Sequence, residues 1–91
     1  MEPRYVRARE LMEADMDDEL VALDPQGGLC FGFNSVATSV WKLLDQPRSA
    51  GELQAALHEN YEVAPEQCAA EVGELLDDLA AKGLVRAAPR G

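Results

Sequence analysis

The chain has 91 residues, 47% of them hydrophobic, which is enough to build one core and implies a single domain over residues 1–91. Eight Lys plus Arg against 17 Asp plus Glu give a net charge of −9. Neither Lys nor Arg occurs between Arg9 and Lys42 or between Arg48 and Lys82, so neither stretch can form the basic footprint that nucleic-acid binding draws on; the acidic surface reads either as a solvated, solubilising face, the usual meaning of such charge, or as one that favours a basic or neutral peptide partner.

In chain order, Tyr5 to Met12 alternates Tyr5, Arg7, Arg9 and Leu11 with Val6, Ala8, Glu10 and Met12, the two-residue period of an opening strand. Glu13 to Asp18, EADMDD, reads as an acidic connector, and Glu19 to Asp24, ELVALD, as a second strand. Asp24-Pro25-Gln26-Gly27 carries Pro at the second and Gly at the fourth position of a type I turn, closing a hairpin onto a third strand from Gly28 to Phe33. In that strand Leu29, Phe31 and Phe33 share one face, and Cys30 and Gly32 the other.

At Asn34 the period changes. Its side chain can accept from a free N–H at a helix start, and Val36, Val40, Leu43 and Leu44 follow at helical spacing as far as about Asp45, where Pro47 stops the helix. Ser49-Ala50-Gly51-Glu52 is a capping box opening a second helix with Leu53, Ala56 and Leu57 on its apolar stripe, running to about Asn60 with Tyr61 packing beyond it. Pro65 suits the first position of a third helix, with Val63 and Cys68 spaced as a hydrophobic staple. Cys68, Val72, Leu75, Leu76 and Leu79 form its stripe, and Gly83 closes it in a left-handed cap with Leu84 placed against Leu79. The fold class is therefore α+β: a three-stranded antiparallel sheet followed by three helices.

So small a sheet cannot protect both edges. One free edge beside an amphipathic helix makes a groove in which an extended peptide can pair by main-chain hydrogen bonds. Catalysis has little to stand on, since the single histidine, His58, sits among Glu59 and Glu62, and Cys30 and Cys68 lack the spacing of a metal site or a disulfide framework. No metal or cofactor is expected. No apolar run approaches the ~20 residues that span a bilayer, and the start MEPRYVRARE lacks a signal-peptide core, so the expectation is a cytoplasmic protein with free thiols and no membrane contact.

The run LVALDPQGGLCFGFNSVATSVWKLLDQPRSAGELQAAL, followed by an acidic helix ending in AAKGLV, closely resembles the PqqD-like family of peptide chaperones, the RiPP recognition elements. The features that carry the resemblance are the DP turn, the F-G-F-N strand end, Trp41 with Leu43 and Leu44, the Ser49, Glu52 and Leu53 opening of the second helix, and Gly83-Leu84-Val85; together they span about residues 5 to 86. The resemblance implies a fold similar to a winged helix-turn-helix, and that the protein binds the leader segment of a ribosomally made precursor peptide as a further strand beside the third strand and presents it to an enzyme. It implies that Leu29, Cys30 and Phe31 supply edge and wall, and that Cys68, Glu71, Val72, Leu75, Asp78 and Leu79 border the groove. Small members of the family that stand alone serve a leader peptidase in lasso-peptide synthesis or a radical SAM enzyme in pyrroloquinoline quinone synthesis. Two other readings fit the order of elements: a winged-helix DNA-binding regulator, opposed by the acidic third helix, and a dimerisation module in which two open edges pair, so that the chain would be a monomer or a weak homodimer.

Overall fold

The structure is a computed structural model and describes residues 3–17, 19–60, 62 and 64–88. The strands are β1 (Arg4–Arg7), β2 (Met12–Met16), β3 (Glu19–Leu23), β4 (Cys30–Phe33), β5 (Arg48–Ser49) and β6 (Val85–Ala87); the helices are α1 (Ser35–Leu43), α2 (Ala50–Asn60) and α3 (Pro65–Ala81). The main sheet is an antiparallel meander in the order β2-β3-β4, and a smaller sheet has the order β5-β1-β6. A three-stranded sheet joined to three helices is the architecture expected from the sequence.

The opening strand is where the expectation needs correction. The alternating stretch from Tyr5 to Met12 is broken after Arg7: β1 leaves for the small sheet, pairing with Ser49 and Arg48 on one side and with Val85 to Ala87 on the other. The acidic segment expected to be a connector supplies the first strand of the meander, with Met12 opposite Leu23 and Met16 opposite Glu19. Every residue of β2 is exposed, so no burial pattern marks it in the sequence. What holds it is backbone pairing to β3, an ion pair from Asp15 to Lys42 at 3.0 Å, and Glu13, whose carboxylate accepts from Trp41 Nε1 at 3.0 Å.

The inner face of the meander carries Leu20, Ala22, Phe31 and Phe33 against α1, while Met12, Met16 and Leu23 turn outward. Trp41 is completely buried, with its ring centroid 5.7 Å from that of Phe33. Arg7 also lies over this indole, its guanidinium carbon 4.6 Å from the centroid, and donates from Nε and Nη2 to the Trp41 carbonyl at 2.9 and 2.7 Å. Its Nη1 lies 3.5 Å from Glu13. Trp41 thereby ties β1, β2 and α1 together.

Helix boundaries follow the capping chemistry. Asn34 Oδ1 accepts from Ala37 N at 2.8 Å; Ser49 and Glu52 exchange both bonds of the capping box, at 2.9 and 3.1 Å; and Pro65 opens α3 behind Ala64, whose side chain makes no cap. Gly83 sits at φ +74°, and Leu84 N donates to Leu79 O at 2.9 Å, closing α3 as expected. Tyr61, the staple residue Val63 and Asp18 lie outside the described residues.

Candidate functional site

β4 pairs with β3 through Leu20 with Phe33, Val21 with Gly32, Ala22 with Phe31 and Leu23 with Cys30, and no strand among the described residues covers its other side. Asp24 N donates to Leu29 O at 2.8 Å, which fixes the phase of the antiparallel ladder. By alternation Phe31 and Phe33 spend their backbone groups on β3, whereas the N–H and C=O of Cys30 and Gly32 point away from the sheet. Among the described residues those four groups have no strand partner, and the hairpin before them sets their direction.

The turn that does so is one residue wider than a simple type I turn, closing from Asp24 to Gly28. Asp24 is buried, accepts from Gln26 N at 2.9 Å and is paired with Arg9; Gly28, at φ +72°, donates to Asp24 O at 2.8 Å. Backbone N–H groups of Gly27 and Gln26 hold the Asp24 carboxyl below its ordinary pKa against the opposing effect of burial, and Arg9 adds to this. A side chain at Gly27 would bring its Cβ to 2.9 Å from an Asp24 oxygen, which is why a glycine ends the turn. Because the turn extends to Gly28, Leu29 lies before the strand rather than on its inner face, and it is 60% exposed.

Just past the end of β4 a cleft of about 380 Å³ opens between the start of α1 and the middle of α3, lined by Asn34, Val36, Ala37, Glu71, Glu74 and Leu75. The α3 stripe divides here. Cys68, Val72, Leu76 and Leu79 are buried in the core, whereas Leu75 is half-buried and reaches the cleft, with Glu71 and Glu74 exposed beside it. Of the expected border residues, then, Leu29, Cys30, Glu71 and Asp78 are exposed and Phe31 and Leu75 are half-buried, but Cys68, Val72 and Leu79 turn their side chains inward. Asn34, Val36, Ala37 and Glu74 also line the cleft and were not among the expected residues; the helical spacing of Glu74 from Glu71 and Asp78 is the signal that could have found it.

A larger cavity of about 530 Å³ lies where the chain crosses between the sheets, lined in part by Arg7, Arg9 and Glu13. Both arginines there are already engaged, by Trp41 with Glu13 and by Asp24 respectively. His58 is exposed on α2, Cys30 is an exposed free thiol and Cys68 a buried one. Where a DNA-reading helix would need cations, α3 exposes Glu66, Glu71, Glu74, Asp77 and Asp78, and Lys82 is spent on Asp78 at 2.7 Å. Among the described residues no helix is long and apolar enough to cross a membrane.

A winged-helix-like α+β module whose bare strand edge ends at a part-apolar, acid-rimmed cleft suits strand addition rather than the reading of a duplex. The chain belongs to the PqqD family: the profile of coenzyme PQQ synthesis protein D matches residues 19–85. It is also similar to two solved structures. One is TbiB1 in complex with the TbiA(beta) leader peptide, 27% identical, covering 93% of this chain and 99% of that one with a TM-score of 0.78. The other is a lasso peptide synthetase B1 complexed with the leader peptide, 22% identical over 90% of this chain and 96% of that one, with a TM-score of 0.75, a likeness of fold. No curated protein matches the chain.

Proposed function

We propose that this protein is a RiPP recognition element that binds the leader segment of a ribosomally synthesised precursor peptide and presents it to a leader peptidase or another modifying enzyme. The observation that carries this reading is the outward ladder of Cys30 and Gly32 beside the α1–α3 cleft. A leader strand pairing there gains main-chain hydrogen bonds from the edge, while alternate side chains turn toward the cleft. Likeness over nearly the whole chain to TbiB1, whose structure holds a leader peptide, supports it, and a fold shared with a lasso peptide synthetase B1 is in keeping with the lasso-peptide branch.

In this role the chain acts in the cytoplasm as one non-catalytic domain. Leu29, Cys30 and Phe31 form the edge; Glu71, Leu75 and Asp78 form the exposed border of the groove; and Cys68, Val72 and Leu79 pack behind it. Holding the leader raises the local concentration of the rest of the precursor at the enzyme, which is where the catalytic benefit arises. Amide hydrogen exchange on the protein with a saturating leader peptide, such as that of TbiA(beta), tests the reading. Cys30 and Gly32 amides should become protected. Binding with protection confined to the β5-β1-β6 sheet or to α2 would overturn strand addition at β4.

A further inference from the structure

Resting on that reading, we propose that the α1–α3 cleft selects a leader carrying a lysine or arginine beside its strand-forming segment, on the Phe33 side of β4. The cleft begins at Asn34, the residue after β4 ends, so a chain paired along Cys30 to Phe33 and continuing past Phe33 comes to the cleft's β4 end. Its walls are of two kinds. Val36, Ala37 and Leu75 give an apolar floor, and Glu71 and Glu74, one helical turn apart on α3, stand at the rim.

Among the described residues, no cation lies within ion-pair distance of either carboxylate: the five ion pairs engage Glu52, Glu13, Asp24, Asp15 and Asp78. Glu71 accepts a hydrogen bond from Gln67 Nε2 at 3.2 Å, and that donor is neutral. An aliphatic stem ending in a cation matches this arrangement, the stem on the floor and the charge at the rim. A plain apolar side chain would fill the floor and leave two carboxylates facing an uncharged neighbour. The start of α1 opposes a cation with about half a positive charge, which two full negative charges outweigh.

The test is a random peptide display library panned on the full chain and, in parallel, on a Glu71→Gln/Glu74→Gln variant, which keeps side-chain shape and the acceptor for Gln67. Peptides enriched on the wild-type chain should share an alternating apolar segment with Lys or Arg at one fixed flanking position. The variant should enrich the same segment without the cation. In fluorescence anisotropy, replacing that Lys or Arg by norleucine should weaken binding to the wild-type chain about 3–10-fold at low salt and hardly at all to the variant. Enrichment of apolar segments with no cation preference, or equal norleucine effects on both proteins, overturns the cleft assignment and leaves strand addition standing. Failure to enrich any segment, or enriched peptides that bind a folded Cys30→Pro chain unchanged, overturns the underlying reading as well.

Discussion

Replacing Cys30 by proline isolates the edge from everything else in the site. Its N–H points away from β3 and it begins the strand, so proline removes no bond of the sheet and meets the condition under which strands accept it. Of the four outward backbone groups on Cys30 and Gly32, one is lost. A neutral hydrogen bond contributes about 1 kcal/mol net, and the leader carbonyl left without its donor adds about 1–2 kcal/mol of desolvation, so binding should weaken by about 30- to 150-fold. Cys30→Ala, which keeps the N–H and changes only the exposed side chain, should bind within about twofold of wild type, the usual range for a surface change. Fluorescence anisotropy with a labelled leader measures both, and circular dichroism and thermal melting confirm that each variant folds. A folded proline variant with the affinity of the alanine variant would refute pairing through this edge.

Leu75→Arg puts a cation on the cleft floor beside Glu71 and Glu74 and should weaken leader binding at least tenfold by anisotropy while the melting temperature stays near wild type, because Leu75 is only half-buried. Arg7→Ala removes two bonds to the Trp41 carbonyl, the stacked guanidinium and the Glu13 contact, and should cost about 2–3 kcal/mol in urea denaturation. Asp24 and Glu52 both titrate below their ordinary values, held there first by backbone N–H groups of Gly27 and Ser49 respectively. The stability they contribute is therefore complete above the unfolded carboxyl pKa and is lost as pH falls through the folded one, from about pH 4 downward. Melting curves taken across that range should show a shallower loss for Asp24→Asn than for wild type.

Where the chain uses local chemistry, its sequence is readable. Asn34, the Ser49–Glu52 box, Pro65 and Gly83 each satisfy or release backbone groups within a few residues of themselves, and each ends or begins a helix where expected. The free edge was legible too, because a hairpin followed by a helix leaves the strand between them with one neighbour. β2 was not legible, because it buries nothing: its anchors, Trp41 for Glu13 and Lys42 for Asp15, lie 28 and 27 residues along the chain. Nor could periodicity divide the α3 stripe. Cys68, Val72, Leu75, Leu76 and Leu79 all satisfy helical spacing, and only the position of α1 decides that Leu75 borders the cleft while its neighbours are enclosed.

Trp41 makes the molecule its own optical gauge. It is the single indole of the chain, fully buried, in contact with Phe33 and the Arg7 guanidinium and with its ring nitrogen bonded to Glu13. Its emission should be short in wavelength when the meander is closed, and should redden and dim as soon as β2 peels from the body, even while the helices keep their ellipticity. A leader arriving at β4, on the far margin of the same sheet, would then leave a luminescent trace of how rigidly the intervening strand conveys its arrival.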